Sequence, residues 1–402
     1  MYAPLPSVRP EVEALRERLV ATRRDFHAHP ELSWHEERTQ QVILNRLHEL
    51  GLADVRPIAR TGATGLVEGG RTTSGGPAVL WRADIDALPV PEKTGLPFSS
   101  TNEGVMHACG HDTHTAIALA IAEVLQAGRA ALDGDVRFVF QPAEESAGGA
   151  EACIADGVLD APYIGRALGL HISADVPIGA INVAAGPFFA SPTAFAIEIT
   201  GRGGHAAAPH QAIDAVVVGA HVVTALQTIV SRSIAPSETA VLTIGTMKAG
   251  VRGNVIADSA RLTGTIRTYD LRVLEQVVEH AERVIGGVCA AFGATYTFTH
   301  RTSCPPLVND AAVTGFVLAE ATEFFGAENI FAAPSMGAED MSVFLEQRPG
   351  CYFWLGARNE PEGIAGRHHD SGFVIDEAAL ALGVEFGVRL IEGSLRAMSN
   401  EQ

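Results

Sequence analysis

The chain has 402 residues, 47% of them hydrophobic and 19% charged, with a formal net charge of −18. These proportions describe an ordinary soluble globular protein, and the length predicts two domains. The acidic balance, with no lysine–arginine block, argues against nucleic acid or anionic membrane as partner, so a carboxylate ligand would need local basic groups.

The N-terminus, MYAPLPSVRPEVEALRERL, is polar and helix-like, without the apolar run of a signal peptide. No apolar stretch approaches the roughly 20 residues that cross a bilayer. Five scattered cysteines, an odd number (109, 153, 289, 304 and 351), suit free thiols in a reducing compartment, so a cytoplasmic location is expected.

Residues 10–50 read as helices broken near His29 and Pro30, with Ser33 as an N-cap and Glu36 three positions on, the spacing of a capping box. A short apolar run at 79–83 leads into Asp84 and Asp86. Helical patterning covers 113–125, and 136–141 reads as a buried strand that stops at Pro142. Residues 148–158 look helical, and 167–172 forms another strand with His171 near its end. Strands alternating with helices predict an α/β fold with a mixed, mainly parallel sheet flanked by helices, whose ligands gather at the carboxyl ends of the strands.

The pattern changes after about 184. A strand at 195–200 is followed by a glycine-rich turn, a helix over 211–230, strands at 239–248 and 260–268, a helix over 271–292 and a last strand near 294–299. This order predicts a small α+β domain with an antiparallel sheet, inserted into the larger one. Helix–strand alternation then returns and closes with a helix near 376–397. The predicted division is therefore 1–184 with 302–402, interrupted by 185–301, which lets residues near 369 share a site with residues near 109.

Two stretches carry candidate metal ligands: MHACGHDTHTA at 106–116 and FVFQPAEESAGG at 138–149. Thiolate, imidazole and carboxylate are the groups that bind a borderline divalent ion. Cys109 and His111 stand two apart, which suits a loop better than one helix face. Glu144 and Glu145 are adjacent, so their side chains are expected to diverge, one to ligate and the other to handle a proton from water that the ion acidifies. His171 and His369 supply two more imidazoles. Taken singly, Cys109 reads as a small buried hydrophobe, the glutamate pair as solvated surface, His171 as a core histidine, and His368–His369 as an exposed turn. Their joint occurrence favours a site. His27, His29, His35 and His48 show no comparable context and read as structural.

At these residues the sequence resembles the M20 metallopeptidase family, in its N-acyl-amino-acid amidohydrolase branch. The similarity runs nearly end to end through DFHAHPELSWHE (25–36), RADIDALPV (82–90), HACGHDTHTA (107–116), VFQPAEE (139–145), GLH (169–171), GRGGHAAAPH (201–210), NVIADSARLTGTIRT (254–268), MGAEDM (336–341) and HHDSGFVIDE (368–377). The resemblance implies a zinc-peptidase-like catalytic domain that binds two divalent ions. It also implies a ferredoxin-like lid domain through which the chain forms a homodimer, or a homotetramer. Zinc or manganese is implied as the metal, with cobalt or nickel as substitutes.

Carried onto matching positions, Cys109, His111, Glu145, His171 and His369 resemble the ligands, Glu144 the general base and Asp86 the orienting aspartate, a role open to Asp112 as well. His205 matches a histidine that reaches into the partner subunit's site, and Asn254 and Arg267 match positions that bind the substrate carboxylate. Arg267 could equally be a strand residue pairing with Asp258 or Asp270.

The chain departs from the family pattern in three places. His369-Asp370-Ser371 lacks the usual proline, which makes His368 a rival ligand, although the spacing to Asp376-Glu377 favours His369. The segment 191–195 lacks an acidic residue, and Met341 replaces a frequent phenylalanine. The implied reaction is hydrolysis of a small-molecule N-acyl amino acid; a metallo-carboxypeptidase or dipeptidase is the alternative. A non-enzymatic scaffold would require a degraded site, and no motif position is lost. Phe188, Phe189 and Met341 are candidates to line the acyl pocket.

Overall fold

The computed structural model describes residues 5–71, 76 and 78–400; the first four residues of the N-terminal segment read above lie outside them. The chain separates into two compact units: Met1–Phe188 with Val308–Pro334 and Asp340–Gln402, and Phe189–Leu307 with Ser335–Glu339.

The first unit is built on eight strands: β1 (Ala53–Ile58), β2 (Gly62–Val67), β3 (Ala78–Asp84), β4 (Val136–Gln141), β5 (Ile164–Pro177), β6 (Ile181–Asn182), β7 (Ile330–Phe331) and β8 (Gly350–Arg358). Their order across the sheet is β1-β2-β4-β3-β5-β8-β6-β7. The central strands β4, β3, β5 and β8 run parallel, while β1 and β2 form an antiparallel hairpin at one edge. Every residue of β3 and β4 is buried, as expected of parallel strands covered on both faces.

Helices His111–Gly128 and Ala378–Asn400 supply Ile117, Ile121, Val384 and Val388 to the core. Gly387 sets how closely they approach, because a Cβ there would lie 2.4 Å from the Ile121 side chain. The exceptions to the apolar rule are paired. Arg82 donates to Asp84 at 2.6 Å, to Asp340 at 2.6 Å and to Gln141 at 2.8 Å, so its buried charge is compensated.

One local expectation fails. The third helix begins at Glu37 with Glu36 at its N-cap and no side-chain cap. Ser33 and Glu36 do not form a capping box, because both are drawn to partners far along the chain.

The second unit has strands Ser191–Thr200, Ala240–Ala249, Ser259–Thr268 and Thr295–Thr302 and helices Ala215–Thr228 and Leu271–Phe292. The strands pair antiparallel, with Ser259–Thr268 and Ser191–Thr200 in the middle, which is a βαββαβ arrangement. Strand Ser191–Thr200 alternates between buried and less buried positions, with Phe195, Ile197 and Ile199 inward. Asp214 and Asp270 cap the helices by accepting from Val216 and Arg272 N–H groups.

Contrary to the sequence expectation, the helical stretch Ala215–Ser233, 19 residues with mean hydropathy 1.4, is long and apolar enough to cross a bilayer. Its length includes a π-helical turn at Ile229–Ser233. Val218, Val222 and Leu226 on one face pack into the core of the second unit.

Candidate metal centre

The carboxyl ends of the parallel strands assemble the site. Asp84 ends β3 opposite Gln141, which ends β4, and His171 lies on β5 opposite Trp354 of β8. Beyond β4 the chain turns sharply, with Ala143 at φ 55°, Ala147 at φ 64° and Gly148 at φ 99°. A Cβ at Gly149 would lie 1.7 Å from the Pro142 carbonyl oxygen, so the turn closes only around glycine. Asp86 Oδ1 accepts the Glu144 N–H and Oδ2 the Glu145 N–H, each at 3.1 Å. Carboxylate oxygens of Glu144 and Glu145 and a His111 ring nitrogen consequently lie within 4.8 Å of one another. The two glutamates converge instead of diverging, because the segment is a turn and not an extended strand.

Cys109, His111 and His171 are buried with ligand atoms mutually within 4.8 Å, and Cys109, Glu145 and His369 form an overlapping group. Cys109 Sγ is 3.4 Å from His171 Nε2. His111 opens a helix behind Gly110, whose φ of 91° turns the chain from Cys109 into the first helical turn. His369 has φ 64°, donates its N–H to Ala108 O at 2.8 Å, and brings Nε2 to 3.2 Å from Glu145 Oε1. His368 turns the other way. Its ring packs on His171, Trp354 and Phe373, its Nε2 accepts the Ala174 N–H at 3.2 Å, and its Nδ1 is 3.9 Å from Cys109 Sγ.

The electrostatics suit a cation. His171 Nδ1 donates to Ile172 O at 2.7 Å, which directs the Nε2 lone pair at Cys109. Burial and the imidazoles of His114 and His368 hold its pKa well below the ordinary value. Burial opposes charge on His111, but Asp84 and Asp86 overcome it and raise the pKa to about 10. Burial, then the charges of Glu145, Glu144 and Asp84, push the Cys109 thiol far up. Neither His111 ring nitrogen meets hydrogen-bond geometry among the described residues; Nδ1 lies 3.3 Å from Asp86 Oδ1 and Nε2 3.8 Å from Asp84 Oδ2. A thiol kept protonated by burial and then by neighbouring carboxylates, beside an imidazole without a hydrogen bond, is a donor set that divalent cations would complete.

Three neighbours were not foreseen in these roles. His114 Nδ1 meets Asp84 Oδ1 at 2.5 Å and its Nε2 accepts the Ile172 N–H at 2.8 Å. Both ring nitrogens are therefore committed, even though Asp84, His111 and His114 lie close enough to form a further group. Its spacing, three residues after His111 on one helix face, was the available signal. Asp112 does not orient a candidate ligand histidine; Arg23 Nε reaches its Oδ2 at 2.7 Å and His27 Nδ1 reaches the same oxygen at 2.8 Å. His27, which sequence context left unremarkable, thus braces the residue that follows His111.

The remaining candidates are in the second unit. His205 is exposed on a short ribbon opposite Val255; its Nδ1 accepts the Ala207 N–H at 3.0 Å, and Ala206 N–H donates to Asn254 O. Arg267 pairs with neither Asp258 nor Asp270. Asp270 is held by Arg272, and Arg267 Nη1 is buried without a hydrogen-bond partner among the described residues. Phe188 and Met341 are fully buried in the first unit and Phe189 is buried in the second.

Residues 80–393 match the model of peptidase family M20/M25/M40. The chain is 40% identical over 393 residues to an N-acetyl-L-cysteine deacetylase of Bacillus subtilis (97% of this chain, 91% of the relative). It is 36% identical over 377 residues to thermostable carboxypeptidase 1 of Saccharolobus solfataricus (93% and 94%). The crystal structure of a dinuclear metal-binding peptidase of the M20 family from Bacillus subtilis superposes with a TM-score of 0.82 at 35% identity, covering 96% of this chain and 99% of that one.

Proposed function

This chain belongs to peptidase family M20/M25/M40, and from that premise we propose that it is a metal-dependent amidohydrolase that splits N-acyl amino acids into a carboxylic acid and a free amino acid. The observation that carries the reading is the convergence of Cys109, His111, Glu144, Glu145, His171 and His369 in overlapping groups at the strand ends. In this reading Cys109, His111, Glu145, His171 and His369 hold a pair of divalent ions, zinc or manganese. When bound, such ions acidify water and polarise the amide carbonyl.

Glu144 takes the proton from the attacking water and delivers it to the leaving amine, and an adjacent backbone tied to Asp86 keeps it in place. Asp86 also fixes the His111 ring from its Nδ1 side. In the second unit, which acts as lid and dimerisation domain, Arg267 and Asn254 receive the substrate carboxylate. The buried Nη1 of Arg267, which lacks a protein partner among the described residues, supports that role. His205 acts at the partner subunit's site as a donor to the carbonyl oxygen.

A carboxypeptidase of the same family is the second reading, favoured by the likeness to the Saccharolobus enzyme. Release of amino acid from N-acetyl and N-benzoyl amino acids, measured beside a dipeptide panel with zinc, manganese and cobalt added separately, tests both. Turnover confined to dipeptides would overturn the first reading.

A further inference from the structure

The two residues whose spacing resembles a capping box are turned towards the site. Ser33 Oγ donates to Asp86 Oδ2 at 2.6 Å. Glu36 is fully buried; its Oε1 accepts the Ala143 N–H at 2.9 Å and its Oε2 accepts the Thr61 hydroxyl at 2.5 Å. No cation pairs with Glu36 among the described residues, although an unpaired carboxylate is among the costliest groups to bury. An apolar side chain would fill the same space at less cost, so the position calls for an acceptor.

What the acceptor holds is specific. Ala143 sits in the left-handed region at φ 55°, and its N–H is followed by those of Glu144 and Glu145, which Asp86 receives. Three consecutive N–H groups of one turn are thereby held by two buried carboxylates that approach from different segments. Glu36 thus holds Ala143, two residues beyond the end of β4 and next to Glu144.

We infer that Glu36 is a positioning residue: through the Ala143 N–H and the Thr61 hydroxyl it sets the turn that aims Glu144. The inference rests on the reading of Glu144 as general base, and the test separates the two. Glu36→Ala, Glu36→Gln, Thr61→Val and Glu144→Gln would be compared for kcat and KM on an N-acetyl amino acid with zinc, and for metal content. Hydrogen exchange of the peptide spanning 138–149 would be followed in metal-free protein.

Glu36→Ala should lower kcat about ten- to a hundredfold with KM within about twofold, the range seen when an outer support of a metal site is removed. It should also speed exchange in that peptide. Glu36→Gln keeps a carbonyl oxygen for Ala143 and should restore exchange and bring kcat to within about threefold of the parent. Unchanged kcat and exchange in Glu36→Ala would overturn the inference, as would a folded Glu36→Gln as impaired as Glu36→Ala. If Glu36→Ala does not fold, Thr61→Val takes its place: faster exchange in the 138–149 peptide with a lower kcat supports the inference, and no change in either overturns it. Retained turnover in Glu144→Gln would sink the base assignment alone, since exchange reports the hold on Ala143 independently.

Discussion

Asp86 Oδ1 lies 3.3 Å from His111 Nδ1 while the same carboxylate receives the N–H groups of Glu144 and Glu145. One buried aspartate therefore orients a candidate ligand imidazole and the two glutamates on the neighbouring turn. Burial raises its pKa, and the His111 contact more than reverses this, so it stays ionised. Asp86→Ala should reduce metal affinity and kcat/KM each by about ten- to a hundredfold. Calorimetric metal titration beside steady-state kinetics checks this, and unaltered affinity would remove Asp86 from the support of His111.

The adjacent histidines near the C-terminus separate by a simple measurement. His369 shares a group with Cys109 and Glu145, whereas His368 packs against aromatic rings and accepts the Ala174 N–H. On the proposed two-ion reading, His369→Gln should lower bound metal to about one ion per chain, and His368→Gln should leave the metal content of the parent at reduced thermal stability. Elemental analysis of the purified variants decides it; the opposite pattern would make His368 the ligand.

Action of His205 in trans makes a prediction no single-site scheme shares. His205→Ala and Glu144→Gln should each be nearly inactive alone. Mixed after dissociation and reassociation, they should recover up to about a quarter of parental activity, the share of sites carrying both intact groups in random heterodimers. Absence of recovery, with mixed dimers shown to form, would place His205 in its own subunit's chemistry or outside the chemistry altogether.

His27 lies between two carboxylates, 2.8 Å from Asp112 and 3.3 Å from Glu92. Burial disfavours its charged form, but Asp112 and then Glu92 outweigh this and raise its pKa above 6.5. A raised histidine contributes stability that is fully present below 6.5 and is lost as pH rises through the folded value. Glu92, lowered to about 2, contributes above 4.5 and loses its contribution as pH falls towards 2. The melting-temperature deficit of His27→Gln should therefore be largest near pH 5.5 and shrink by pH 9. A deficit that grows with pH would contradict the assignment.

Arg82 is completely buried between Asp84 and Asp340. Arg82→Met preserves much of the volume but leaves two carboxylates without their cation, so it should destabilise the protein by about 3–5 kcal/mol. The shift in urea midpoint tests this. A variant as stable as the parent would mean that His111 and His114 suffice for Asp84 and the Gln141 amide for Asp340.

The order and kind of most elements, and the inventory of the site, were legible in the amino-acid sequence. Period-3.6 and period-2 patterns, the uninterrupted burial of 136–141, and the chemistry of Cys109, His111 and His171 are properties of neighbouring residues. The edge hairpin of β1 and β2 was not read, because half-polar or glycine-rich strands carry little periodic signal, nor was the strand Gly350–Arg358, a continuous apolar run without alternation. Tertiary structure decided the rest. The convergence of Glu144 and Glu145 depends on the positive φ of Ala143, and the different surroundings of His368 and His369 on a ring whose Nε2 accepts from Ala174. The partners of His114, Asp112 and Glu36 lie between 25 and 107 residues away. Side-chain chemistry is written locally, but a lone pair's direction is set by the contact that occupies the other side of its ring or carboxylate, and that contact exists only once the distant segments have packed.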